Sequence, residues 1–326
     1  MGAGSWGTTL ANLLAHAGHE VAIWAREPEV VDSINRMHCN DVFLTGNPLH
    51  PGLEAHREIA PAVRGAELVV SAAPSHAVRA VGEVVATALD GRPVVVSVSK
   101  GLENGTLDTM SSVLEETLPG LSVVALSGPT FAQEVYAGQP TAVVAASADP
   151  TAAEQVQQAF ATASFRVYTS SDVVGVQLGG ALKNIIALAA GILEGMGLGH
   201  NPRAALITRG LAEMARLGAA LGADPATFAG LAGMGDLILT ATGQLSRNRS
   251  LGVEIGKGRN YLEVLAERRS VAEGVHTARA AVDLGRRTGV ELPIAVEVSQ
   301  ILFESKSPRR AIADLMEREL KAEQWR

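Results

Sequence analysis

One stretch constrains this chain more than any other: Val173 to Gly199, VVGVQLGGALKNIIALAAGILEGMGLG. It is apolar, rich in Gly and Ala, and carries a single cation, Lys183, near its middle. Such a run is long enough to cross a bilayer. A central Lys, however, costs roughly 2.5–3.5 kcal/mol on insertion, and Glu194 interrupts the run again. The pattern therefore predicts a helix buried around most of its circumference by protein, not a membrane span. A buried ammonium is costly unless it is paired or gives up its proton. Lys183 is thus either one half of a structural ion pair or a group tuned to transfer a proton. Gly179, Gly180 and Gly191 beside it leave room for another chain or a ligand.

The beginning of the chain supplies a second constraint. Gly2-Ala3-Gly4-Ser5-Trp6-Gly7 spells G-x-G-x-x-G, followed by a helical run over 8–17 and a strand over 20–25. That is the second half of a βαβ unit, in which Gly2, Gly4 and Gly7 make a tight turn. The helix N-terminus then offers free N–H groups and a positive dipole end to a pyrophosphate. The strand ends on Arg26 and Glu27. Arg26 can stack on an adenine and pair with a 2′-phosphate, whereas Glu27 suits ribose hydroxyls, so NADP and NAD both remain open. The strand that normally precedes the glycine turn is missing, because Met1 stands directly before Gly2. The expectation is that a strand of about five to eight residues lies upstream of this start.

Further strands are predicted over 66–74, 93–99, 122–128, 141–147 and 165–170, with helices over 75–89, 107–117 and 151–163. The first three are apolar and β-branched, as buried parallel strands are. Ligands bind at the carboxyl ends of such strands, where Lys100 emerges and where Gly128-Pro129 leads into a short helix beginning at Thr130. The fold class is α/β: an N-terminal Rossmann-like doubly wound sheet over 1–170, its first strand truncated, and an all-α domain over 171–326. In the second half, helical periodicity covers 202–222, 249–257, 260–268, 275–288, 293–304 and 308–320. Asp236, after a flexible Gly-x-Gly, is a candidate carboxylate for Lys183. Ser246, Arg247 and Asn248 open a helix with the donors a phosphate requires. Ser246 also suits a simple N-cap.

Composition excludes several classes. A net charge of −7 without a basic cluster argues against nucleic acid. Cys39 is the only cysteine, so no intrachain disulfide can form and a reducing, cytoplasmic setting is expected. The His residues show no zinc-type spacing, and no metal is expected. A hydrophobic fraction of 47% with 19% charged residues describes a globular enzyme of two domains.

Taken together, the motifs GAGSWGTTLA (2–11), WAR (24–26), SKGLE (99–103), SGPTFAQEV (127–135), ALKNI (181–185), GMGDLILT (233–240), SRNR (246–249) and VAEGVHTA (271–278) resemble the bacterial NAD(P)-dependent glycerol-3-phosphate dehydrogenases. They run in order over nearly the whole chain. The resemblance implies hydride transfer between a nicotinamide and dihydroxyacetone phosphate, with Lys183 as acid/base and Asn184 beside it. It further implies that Lys100, Gly128, Thr130, Asp236, Ser246, Arg247 and Asn248 hold the substrate. Ser5, Trp6, Arg26, Lys100, Ala132, Arg247, Val271 and Glu273 would contact the dinucleotide. The product, sn-glycerol 3-phosphate, would feed glycerophospholipid synthesis. Glu27 departs from the family, many of whose members carry a second basic residue there. Rival readings are another two-domain hydroxyacid dehydrogenase, such as a 6-phosphogluconate dehydrogenase or ketopantoate reductase, and a dinucleotide sensor without catalysis. A homodimer is expected on base rates alone.

Overall fold

The computed structural model describes residues 1–267, 272–320 and 322–323. Seven strands form in the first half: β1 (Val21–Trp24), β2 (Leu53–His56), β3 (Leu68–Ser71), β4 (Val94–Ser97), β5 (Val123–Ser127), β6 (Thr141–Ala146) and β7 (Phe165–Ser170). They make two sheets, β1-β2 and β3-β4-β5-β6-β7. The residues before the glycine turn join the two. Met1 N donates to Val70 O at 2.8 Å, Ala72 N donates to Met1 O at 2.9 Å, and Gly2 N donates to Trp24 O at 3.0 Å. Met1 and Gly2 thus occupy the place between β1 and β3 that the first strand holds in a doubly wound sheet.

The β3-β4-β5 core is parallel, with Val95, Val96 and Val124 fully buried. One pairing interrupts the parallel order, because β6 runs antiparallel to β5. The link between them holds only the five-residue helix Ala132–Tyr136, too short to carry the chain back along the sheet before the next strand. Several elements were not anticipated, and two of them show why. Strand β2 is the short LEAH, with Glu54 exposed, and helix Pro28–Met37 buries only Val30, Val31, Ser33 and Ile34. Neither has the apolar run that marks a buried element in a sequence.

From Val173 on, the described residues form helices. Asp172 starts the long helix Val173–Gly195 by accepting from Gly175 N at 2.8 Å, and its other oxygen takes Thr227 Oγ1 at 2.6 Å. Every residue from Gly175 to Leu193 is buried. This helix is long and apolar enough to cross a membrane, but 89% of its most apolar window is buried inside the protein. Glu194 near its end accepts from Arg249 at 2.6 Å and leaves Lys183 to another partner. Helices Asp236–Thr242, Arg247–Gly256 and Glu273–Thr288 pack around it.

Elsewhere in this domain, buried Glu213 accepts from Ile294 N at 2.9 Å, at the start of helix Pro293–Phe303, which lacks a cap of its own. Burial pushes its carboxyl up from 4.5 to about 7, although the backbone donors oppose the shift. The folded state therefore binds the proton more tightly than the unfolded chain. The group's contribution to stability is complete below about 4.5 and is lost as pH rises through about 7. Glu213→Gln keeps the acceptor without the charge. Its melting temperature is expected to fall less than that of the wild type between the two values; equal declines would exclude Glu213 as the cause.

Candidate active site

The site grows from Lys183. Helix Val173–Gly195 can approach the loop before Asp236 closely because Gly179 has no side chain: a Cβ there would strike Ala232 O. That approach sets Asp236 over Lys183. Lys183 Nζ donates to Asp236 Oδ1 at 2.5 Å and to Thr240 Oγ1 at 2.7 Å. Thr240 lies one helical turn beyond Asp236 and donates to its Oδ1 at 3.3 Å. The second carboxylate oxygen accepts from Lys100 Nζ at 2.6 Å. Asp236 is fully buried and Lys183 nearly so. One buried carboxylate therefore stands between two ammonium groups, an arrangement that favours an anionic ligand beside it.

The strand ends complete this wall. Lys100 follows β4, and its Nζ also donates to Gly128 O at 3.0 Å, just past β5. Gly128 has φ +154°, and a Cβ there would come within 2.9 Å of Val143 Cα, so a larger residue would displace the carbonyl that holds Lys100. Thr130 Oγ1 donates to the same carbonyl at 3.3 Å. Burial lowers the Lys183 pKa from 10.5 to about 7; Asp236 opposes the shift, while the Lys100 and Arg247 charges add to it. At that value the amine can hold or release a proton near neutral pH.

Asn184 faces a second polar group. Its Oδ1 accepts from Asn248 Nδ2 at 2.9 Å, and Asn248 Oδ1 accepts from Gly274 N at 2.9 Å. Ser246 caps helix Arg247–Gly256 by accepting from Arg249 N at 3.2 Å. Arg247, first in that helix, is exposed, and its charge acts on both Lys183 and Glu273. Glu273 spans the two halves of the chain, accepting from Ser75 N at 3.1 Å and from Ser75 Oγ at 2.5 Å.

On the dinucleotide side, helix Ser5–His16 begins after Gly4 without a side-chain cap, so its first N–H groups have no side-chain acceptor. A Cβ at Gly4 would meet nothing within 4 Å, whereas at Gly7 it would strike Gly2 O. An open, uncapped helix start on a tight glycine turn fits a pyrophosphate. Ser5 Oγ donates to Phe43 O at 2.6 Å, and Trp6 is half-buried against the sheet core. Arg26 is exposed and paired with Glu27 at 2.8 Å. Ala132 opens its short helix, with its carbonyl accepting from Thr9 Oγ1 at 3.3 Å. Val271 lies outside the described residues. Thr240 and Ser75 had not been expected here. The one available sign of Thr240 was its i+4 spacing from Asp236, which puts both on one helix face.

A Rossmann-type sheet with an uncapped glycine-turn helix, joined to a helical domain that buries a Lys–Asp pair, defines a two-domain dinucleotide-dependent dehydrogenase. Residues 1–153 match the N-terminal profile, and residues 172–313 the C-terminal profile, of NAD-dependent glycerol-3-phosphate dehydrogenase. The chain belongs to that family, whose enzymes are NAD(P)-dependent oxidoreductases. It is 55% identical over 328 residues to a glycerol-3-phosphate dehydrogenase [NAD(P)+] of Geobacter sulfurreducens, covering 100% of this chain and 98% of that protein. A crystal structure of glycerol-3-phosphate dehydrogenase from Coxiella burnetii superposes with TM-score 0.94 at 36% identity, covering 97% of each chain. A ketopantoate reductase from Ralstonia eutropha shares the fold at TM-score 0.62 and 20% identity, covering 96% of this chain and 98% of that one.

Proposed function

We propose that the chain interconverts dihydroxyacetone phosphate and sn-glycerol 3-phosphate with NAD(P)H, and that Lys183 is its acid/base. The observation that carries this reading is the buried Lys183 ammonium between Asp236 and Thr240, with a pKa of about 7. When bound, the dinucleotide supplies or accepts the hydride. Lys183 donates a proton to the substrate oxygen in reduction and takes it back in oxidation, and as an ammonium it stabilises charge developing on that oxygen. Asp236 and Thr240 orient the amine. Lys100, Gly128, Thr130, Asn184, Ser246, Arg247 and Asn248 complete the substrate site. Arg247 supplies the planar guanidinium that suits a phosphate. Gly2, Gly4, Ser5, Trp6, Gly7, Arg26, Lys100, Ala132, Arg247, Val271 and Glu273 are assigned to the dinucleotide.

In the same reading the chain divides near residue 170, into a dinucleotide domain over 1–170 and a substrate domain over 171–326. It works as a homodimer in the cytoplasm and feeds glycerophospholipid synthesis. The lone Cys39 suits a reducing compartment. The choice between NAD and NADP turns on Arg26, whose pairing with Glu27 competes with a 2′-phosphate.

Two experiments test these assignments. NADH and NADPH oxidation is followed with dihydroxyacetone phosphate as substrate. Turnover is expected; cofactor binding without turnover would favour a sensor or a different hydroxyacid. Arg247→Ala is expected to raise KM for dihydroxyacetone phosphate at least tenfold, about the 1.4 kcal/mol of a charge-assisted hydrogen bond, with kcat less affected. A normal KM would remove Arg247 from the phosphate site.

A further inference from the structure

Beside Lys100 lies a small cavity lined by Ser97, Ser127, Gln177 and Gly180, where the ends of β4 and β5 meet helix Val173–Gly195. Ser97 Oγ, Ser127 Oγ and Gln177 Nε2 are all buried, and none has a hydrogen-bond partner among the described residues. Their residues are 2%, 7% and 5% exposed, so bulk solvent does not serve them either. A single buried polar atom without a partner is uncommon, and three around one cavity call for a shared one. The space lets the centre of a water-sized sphere move through about 10 Å³, room for one water and little more. A water can accept from the Gln177 amide while exchanging hydrogen bonds with both hydroxyls.

The cavity's position gives that water a task. Ser127 immediately precedes Gly128, whose carbonyl holds Lys100 Nζ, and Ser97 lies on the strand that leads to Lys100. A Cβ at Gly180 would sit 2.8 Å from Ser127 Oγ and 3.3 Å from Lys100 Cγ, so the lysine stem packs along the same wall. We propose that this cavity binds one water molecule through Ser97, Ser127 and Gln177, and that the water fixes the position of Lys100 against Asp236. Ser127 and Gln177 are then positioning residues that act through Lys100. The effect on substrate rests on the glycerol-phosphate reading above; the water site itself does not.

The test joins a crystal structure of the full chain, at a resolution that shows water, to kinetics of three variants. The wild type is expected to show one density peak within hydrogen-bond distance of all three atoms, with no anomalous signal there after a bromide soak. Ser127→Ala and Gln177→Met are each expected to raise KM for dihydroxyacetone phosphate about fivefold, the scale of one net hydrogen bond, with kcat less affected. Ser127→Ala combined with Gln177→Met removes two of the water's three partners and with them the need to hold it, so its melting temperature should stay close to the wild type while the raised KM persists. A merely structural role would give lower stability with normal KM. No peak in the wild type, bromide at the site, or an unchanged KM in all three variants would overturn the proposal. Density does not depend on what the enzyme turns over, so failure of the glycerol-phosphate reading would show as lost turnover with the water still in place.

Discussion

Lys183→Ala is expected to lower kcat for dihydroxyacetone phosphate reduction by at least about a hundredfold, the lower range for loss of a general acid. One group with two roles vanishes in this variant: the ammonium that donates the proton also stabilises the developing alkoxide. Asp236 is not stranded, because Lys100 still holds its other oxygen at 2.6 Å. The protein should therefore fold and bind dinucleotide normally. A change confined to KM, with kcat intact, would mean that Lys183 only binds substrate.

The second large effect is expected for Asp236→Asn. The amide keeps the shape of the carboxylate and removes the charge that holds the Lys183 proton against burial and against the Lys100 and Arg247 charges. The Lys183 pKa should then fall below about 7. A fall of one unit lowers the protonated fraction at pH 7 from about a half to about a tenth, and a fall of two units to about a hundredth, so reduction at pH 7 should lose about fivefold or more. Reduction should recover on acidification, which no loss of folded protein would reproduce. Replacement by Ala, which leaves two ammonium groups facing each other in a buried site, is expected to be more damaging, since breaking a buried pair costs about 3–5 kcal/mol. An Asp236→Asn enzyme with wild-type rates at pH 7 would show that the carboxylate is not what governs Lys183.

Particular residues show how far the sequence could be read. Lys183 was legible because a cation in a long apolar run has few physical outcomes. The same holds for Lys100 at the end of an apolar strand and for the glycine turn, where backbone geometry demands a residue type. Thr240 was not, because a lone Thr on a short helix looks like any partly buried residue until Lys183 is placed against it. Ser75 was missed for a related reason: its partner, Glu273, lies far along the chain, and no local pattern links them. The antiparallel β5-β6 pair depends on how far a short connection can travel, and residue type along the strands does not report that. Strand β2 and helix Pro28–Met37 escaped because their few buried side chains are interleaved with charged ones.

The account turns on one proton, and the pH dependence of kcat/KM measured in both directions tests it most directly, because that ratio reports the free enzyme. Reduction needs the ammonium form of Lys183 and should decline as pH rises through about 7, whereas oxidation of glycerol 3-phosphate needs the neutral amine and should rise over the same interval. Opposed profiles that cross near neutrality, both displaced to lower pH by Asp236→Asn, are the predicted result. Profiles that run parallel in the two directions, or that do not respond to Asp236→Asn, would contradict Lys183 as the acid/base.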